Sequence, residues 1–265
     1  MLWKINYNVM KVVILAGGFG TRFSEKTKDT PKPMIEIGDR PILWHIMKIY
    51  SSYGFNDFVI CLGYKSLEIK QWFVDYFMYN NDLSIDTKNH KLEVLDNKTE
   101  PWHITLAETG LNTMTGGRIK RIQKYIGNEP FLLTYGDGVS DIDINAVIEH
   151  HKKSGKLLTV TAYKHLERWG LLDINEKGDV NGFLEKPDDT NTFINGGFFV
   201  CEPQVFDYLD GDDCVFERKP LETIAKAGQM TSYKHTGYWQ CMDTLKDNTE
   251  LNNLWNSGNA PWKKW

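Results

Sequence analysis

The sequence predicts an α/β protein: a Rossmann-like, mostly parallel (mixed) central sheet with helices on both faces, plus a smaller strand-rich lobe. Three observations carry this. Short continuous apolar runs end in glycines or an acid, as in "KVVILA" before Gly17, "DFVICLGY" and "PFLLTYGDG". A strand buried on both faces reads as such a run rather than as an alternation. Segments of helical period separate the first runs, and strand–helix alternation implies parallel pairing. After Gly170 the pattern changes to short strands and turns, "GLLDINEKGDVNGFLEKP" and then "INGGFFVCEP".

Lys11 to Ala16 is the first strand. "PILWHIMKIYSSYG" is the first helix: Pro41 suits a first helical position, Ile42, Ile46, Ile49 and Tyr53 recur at helical spacing, and Gly54 suits a stop. "DFVICLGY" is the second strand and "SLEIKQWFVDYFM" a second, amphipathic helix. Residues 84–107 alternate polar and apolar without a helix signal and end in the strand "WHITLAET". "GGRIKRIQKYIG" reads as a helix with a basic face, "PFLLTYGDG" as a buried strand, "INAVIEHHKKSG" as a helix and "KLLTVTAY" as a strand. "MDTLKDNTELNNLWNSG" returns the chain to helix. No repeat, low-complexity tract or linker divides the sequence, so one compact domain is expected.

The 265 residues suffice for one large domain or two small ones, and 41% hydrophobic content is ordinary for a soluble globular protein. A net charge of −4 argues against a nucleic-acid-binding surface. No apolar run approaches the roughly 18–20 residues of a membrane helix. "MLWKINYNVMK" has no signal-peptide core, so a cytoplasmic location is expected. Cys61, Cys201, Cys214 and Cys241 are far apart and form no Cys-x-x-Cys pair, which suggests buried reduced thiols and not zinc or disulfides. Nine tryptophans point to a deep core, ligand stacking or an interface.

The stretch "VVILAGGFGTRFSEKTKDTPKPM" carries the strongest chemical signal. It is no P-loop, because it lacks Gly-x-x-x-x-Gly-Lys-Ser/Thr, and no dinucleotide fingerprint, because Phe23 replaces the third glycine. A nicotinamide-dependent oxidoreductase is thereby disfavoured. Glycines still let backbone N–H groups close on phosphate oxygens. Arg22 can fork two hydrogen bonds to phosphate. Lys32 sits between Pro31 and Pro33, a stiff segment that spares ordering entropy when its charge is held in place. Polyphosphate recognition follows. Asp137, in "YGDG", ends a buried strand, where open α/β sheets place their sites; a turn-capping acid is the plainer reading. Asp141 and Asp143 read as a helix N-terminus, and Asp243 alone as an N-cap before "TLKDNTEL". One or two carboxylates with phosphate oxygens would suit Mg2+. "FLEKP" and "INGGFFV" are weak alone: a surface turn at Glu185-Lys186-Pro187 and a bulge at Asn195-Gly196-Gly197.

Taken together, "LAGGFGTRF…PKPM" resembles the signature of the sugar-1-phosphate nucleotidyltransferases, and the likeness runs from Met10 to the C-terminus. It implies a fold of the nucleotide-diphospho-sugar transferase type in residues 10–265. The nucleotide-binding half would be about 10–140 and the sugar-binding half about 141–265; residues 1–9 fall outside the resemblance. In that family the glycine-rich loop wraps the nucleoside triphosphate, which implies contacts from Leu15, Ala16, Gly17, Gly18, Gly20 and Thr21, with Gly136 opposite. Arg22 and Lys32 would hold the phosphates during transfer, and Asp137 and Asp243 would hold Mg2+. Glu185 would accept from sugar hydroxyls, Lys186 would meet the sugar phosphate, and Asn195 and Gly170 would border the sugar. Further stretches, among them "EPWHITLAETG", "MTGGRIKRI" and "GYWQCMDTLKD", resemble the family's cytidylyltransferase branch. That branch implies CTP, a sugar 1-phosphate with glucose 1-phosphate favoured, nucleotide contacts from Thr113, Thr115, Gly116 and Arg118, and a place in nucleotide-sugar biosynthesis. Alternatives are another sugar 1-phosphate, dTTP or UTP, or a non-catalytic nucleotide-sugar-binding subunit. Arg168-Trp169-Gly170 departs from the Gly-Arg-Phe-Gly-type run of related enzymes. The family tends to be oligomeric, so a homo-oligomer is expected, with the tail "LWNSGNAPWKKW" leaning towards its interface.

Overall fold

The computed structural model describes residue 7 and residues 10–23, 27–96, 98–164, 171–174, 180–184 and 192–265. β1 (Lys11–Leu15) leads into the glycine turn and a single 3-10 turn at Lys32–Met34. A short hairpin, β2 (Glu36–Ile37) and β3 (Arg40–Pro41), precedes α1 (Ile42–Ser51), with Pro41 as its extended N-cap. β4 (Asp57–Leu62), α2 (Ser66–Tyr79), β5 (Asp82–Asp86), β6 (Lys91–Asp96) and β7 (His103–Glu108) follow. Next come α3 (Thr115–Arg121), α4 (Gln123–Ile126), β8 (Phe131–Tyr135), β9 (Gly138–Ser140), α5 (Ile144–Ser154) and β10 (Leu158–Lys164). The second half adds β11 (Leu171–Ile174), β12 (Val180–Leu184), β13 (Phe193–Cys201), α6 (Lys219–Lys226), β14 (Met230–His235), β15 (Trp239–Cys241) and α7 (Leu245–Asn256).

Seven strands form the central sheet in the order β14-β10-β13-β8-β1-β4-β7. β8, β1, β4 and β7 are parallel neighbours, β13 runs antiparallel to both β8 and β10, and β14 is parallel to β10. The sheet is therefore mixed, as its sequence pattern implies. Strand alternation splits the core into two layers. Val12 and Ile14 face a layer built with α1, α5 and α7; Val13 and Leu15 face one built with α3, α4 and α6. From Val12 to Leu15 both faces of β1 are apolar because both are covered. The hairpins β5–β6 and β11–β12 stand outside the sheet.

Several expectations need correction. α2 is not cleanly amphipathic: it buries Ile69 and Phe73 but leaves Leu67, Val74 and Phe77 exposed, because its apolar residues are spread round the helix. The helix expected over "GGRIKRIQKYIG" is divided at Ile122, whose φ of −91° and ψ of 1° are not helical. Asp143 does cap α5, accepting from the Ala146 N–H at 3.0 Å. Asp243 is not the N-cap of α7: that is Thr244, in a capping box with Asp247. The tail does not reserve Trp262 for an interface. Trp262 is fully buried, and its indole N–H donates to His45 Nδ1 at 3.4 Å within a group that includes Trp44, Trp255 and Trp265. Among residues 1–9, Tyr7 donates to Glu202 Oε1 at 2.7 Å. Among the described residues no helix is long and apolar enough to cross a membrane.

Candidate active site

A cavity of about 680 Å³ opens at the carboxyl ends of β1 and β8, the place where open α/β sheets bind ligands. It is lined by Leu15, Ala16, Gly17, Gly18, Gly20 and Thr21 from the glycine turn and by Lys32 beneath them. Thr113, Thr115, Arg118, Gly136, Asp137, Asn195 and Asp243 complete the lining named by the sequence. At Gly116 a Cβ would overlap Cys214, so this glycine allows close packing of α3. The Arg22 side chain, Gly170, Glu185 and Lys186 lie outside the described residues, as does the Arg168-Trp169-Gly170 departure.

The glycine turn is shaped by its neighbours. Gly20 has a φ of +65°, a left-handed conformation that favours glycine. A Cβ on Gly17 would overlap the Arg118 guanidinium, whereas Gly18 has open space over its Cα. The turn thus packs tightly underneath and leaves its backbone bare on the cavity side.

Lys32 is 7% exposed, and its Nζ lies 2.6 Å from Asp137 Oδ2 and 2.6 Å from Asp243 Oδ1. Burial works against its charge, but Asp137 and the hydrogen bonds to both acids prevail and raise its pKa. The acids come from distant segments yet share one support. β9 and β15 pair antiparallel, and the Met242 N–H donates to the Asp137 carbonyl at 2.8 Å, so a single ribbon carries both carboxylates. His235 braces that ribbon. Its Nε2 lies 3.1 Å from Ser140 Oγ, 3.1 Å from the Tyr238 carbonyl and 2.9 Å from Asp141 Oδ1. Ser140 gives its own proton to the Tyr238 carbonyl at 2.8 Å, so all three groups accept and Nε2 carries the hydrogen.

Arg118, 4% exposed, uses its guanidinium differently. Nη1 donates to the Leu62 and Gly110 carbonyls and to Thr109 Oγ1; Nη2 donates to the Gly17 and Leu111 carbonyls. It thereby ties the glycine turn to the ends of β4 and β7.

Cavity residues to which the sequence assigns no role in the site include Tyr135, Glu217, Trp239 and Cys241. Glu217 accepts from Tyr135 at 2.6 Å and from Thr115 at 2.6 Å, and Asn195 donates to the Tyr135 hydroxyl at 3.2 Å. Burial, then the Glu217 charge, pushes the Tyr135 pKa up, so it stays a neutral donor. The Trp239 indole donates to the Gly196 carbonyl at 2.7 Å. Asp137, Cys241 and Asp243 each offer one ligand atom, all within 4.8 Å of one another. Burial, then Asp137, pushes the Cys241 thiol up, which leaves the two carboxylates as the ready donors. Two anionic oxygens beside a polyphosphate-sized cavity fit a hard divalent cation.

A mixed sheet with a glycine turn, a buried lysine and paired acids at its strand ends defines a nucleotide-transfer fold. The chain belongs to the nucleotidyl transferase family, whose model matches residues 11–253. It is 51% identical over 257 residues to the glucose-1-phosphate cytidylyltransferase of Salmonella typhi, covering 97% of this chain and 100% of that one. It is 47% identical over the same shares to the probable glucose-1-phosphate cytidylyltransferase of Bacillus subtilis (strain 168), covering 97% of this chain and 100% of that one. Among solved structures, HddC from Yersinia pseudotuberculosis superposes with a TM-score of 0.66 at 23% identity, covering 93% of this chain and 100% of that one. Apo UDP-glucose pyrophosphorylase does so with a TM-score of 0.67 at 18% identity, covering 94% and 99%. At such identities these two structures establish the fold alone.

Proposed function

We propose that this chain transfers a cytidylyl group from CTP to α-D-glucose 1-phosphate, giving CDP-glucose and pyrophosphate. Nucleotidyl transfer rests on one observation above all, the Lys32 ammonium between Asp137 and Asp243 at the base of the glycine turn. The choice of CTP and glucose 1-phosphate rests on the near full-length likeness to the Salmonella typhi enzyme.

A phosphate oxygen of glucose 1-phosphate attacks the α-phosphorus of CTP in line. The bond between that phosphorus and the bridging oxygen breaks, and pyrophosphate leaves with the electron pair. No covalent enzyme intermediate is required, so the protein supplies position and charge. The open backbone over Gly18 admits the triphosphate, and the Lys32 ammonium turns to the α-phosphate and departing pyrophosphate. Losing one such aimed donor costs on the order of 10²–10³ in rate. Asp137 and Asp243 would hold Mg2+, which when bound neutralises charge on the phosphates. Arg22 adds a second cation at the triphosphate, and Glu185 and Lys186 orient the sugar phosphate beside Asn195; these roles follow from the family resemblance. Residues 10–140 then serve the nucleotide and 141–265 the sugar, in a cytoplasmic homo-oligomer.

The test is pyrophosphate release from CTP, Mg2+ and glucose 1-phosphate, set against UTP, dTTP, GTP and ATP and against other sugar 1-phosphates. CTP with glucose 1-phosphate should give the highest kcat/KM. A higher value for another pair would reassign the substrates, and no release from any pair would make the chain a non-catalytic binder.

A further inference from the structure

Lys32 does more in this arrangement than wait for phosphate. Its Nζ stands 2.6 Å from one oxygen of Asp137 and 2.6 Å from one oxygen of Asp243, the same two carboxylates that would hold the cation. An oxygen-bound Mg2+ needs its ligands at about 2.0–2.1 Å, so an ion on the same two oxygens would compete for lone pairs that an ammonium 2.6 Å from each already holds. The two positive charges would also repel each other where little solvent screens them, since the lysine is 9% exposed at its side chain and the acids 24% and 27%.

We propose that the Lys32 ammonium and a divalent cation are alternative occupants of the Asp137–Asp243 pair, so that the cation enters with the nucleotide and not ahead of it. The proposal rests on the reading that these two acids hold the metal. The backbone at Lys32 is fixed: Pro31 and Pro33 flank it, and it opens the 3-10 turn Lys32–Met34, all three residues of which are buried. Exchange is therefore a rotation of one side chain. Its head group can leave two carboxylates only for other anionic oxygens, and the bare backbone of the glycine turn on the same cavity wall is where a triphosphate would present them. The nucleotide draws the ammonium off, and the acids become available in the same event. Lys32 thus neutralises the acid pair until substrate arrives and sets the order of assembly.

The test is Mn2+ binding in the absence of nucleotide, read by electron paramagnetic resonance on wild-type protein, Lys32→Met, Lys32→Gln, Lys32→Arg and Lys32→Met/Asp137→Asn. Wild-type and Lys32→Arg should bind weakly. Lys32→Met and Lys32→Gln should bind about 10- to 100-fold more tightly, because two mutually repelling carboxylates lose their internal cation. The double variant should lose that gain. Thermal unfolding gives an independent readout: Mn2+ alone should raise the Tm of Lys32→Met and leave that of wild-type unchanged. Equal Mn2+ affinity in wild-type, Lys32→Met and Lys32→Gln overturns the proposal if CTP-dependent Mn2+ binding still requires Asp137. Mn2+ binding that ignores Asp137→Asn even with CTP present overturns the metal reading itself, and the proposal with it.

Discussion

Lys32 and Arg118 are both buried cations on the wall of one cavity, and they are committed to opposite partners. Lys32 faces two carboxylates, which makes a pair that phosphate oxygens can compete for. Arg118 faces four carbonyls and one hydroxyl from three separated stretches of chain, all of them neutral acceptors. A point charge on a flexible stem can swing between partners, whereas a planar fork with five donors is held once its acceptors surround it. The cavity therefore has a convertible end and a fixed end. The first is suited to charge that moves during transfer, the second to holding the turn around whatever binds.

The largest expected effect on stability breaks the fixed end. Arg118→Ala leaves the Gly17, Leu62, Gly110 and Leu111 carbonyls without this donor in buried space, and should cost at least about 3 kcal/mol in denaturant unfolding. Arg118→Lys should recover only a fraction, because an ammonium cannot reproduce the fork. If Arg118→Ala kept wild-type stability and lost only nucleotide binding, the two cations would belong to one class after all.

A third buried base, His45, sharpens the contrast by staying neutral. Burial pulls its pKa from 6.5 down to about 4. The Ile37 carbonyl at 2.9 Å takes the Nε2 proton, and Nδ1 accepts from the Trp262 indole, so a second ring proton would meet another donor. Between pH 6.5 and 4 the unfolded chain binds a proton that the folded chain refuses. Stability should fall by up to about 3 kcal/mol as pH drops through that window, with no further loss from this group below it. Thermal unfolding against pH checks this, and the slope should flatten in His45→Gln. An unchanged slope would mean that other groups set it.

The smallest effect is expected at Glu217. Glu217→Gln keeps the shape, and either Tyr135 or Thr115 can reverse one hydrogen bond, so the cost should be near 1 kcal/mol by thermal unfolding. A much larger loss would place Glu217 with Arg118 as a support of the cavity wall.

Legibility in the sequence follows how local each signal is. Buried strands such as "KVVILA" announce themselves, because continuous apolar runs require cover on both faces. The glycine turn and the proline-flanked Lys32 are equally local. Asp137 and Asp243, 106 residues apart in sequence, become a pair only through resemblance or through the β9–β15 ribbon. Arg118 reads as a cation near the nucleotide, but its acceptors are backbone carbonyls, which carry no sequence signature. Glu217 and Tyr135 meet only when β8 and the segment before α6 converge, Trp239 joins the cavity from β15, and nothing in "VFERKP" marks an acid that faces a cavity. Gly116 packs against Cys214, and a glycine needed for packing looks the same in sequence as one needed for a ligand.

The most direct test of the account is the turnover of Lys32→Met with CTP, Mg2+ and glucose 1-phosphate, measured beside its circular dichroism. The account predicts a kcat at least about 10²-fold below wild-type in a protein with the native spectrum. A kcat near wild-type would contradict it and remove Lys32 from the chemistry.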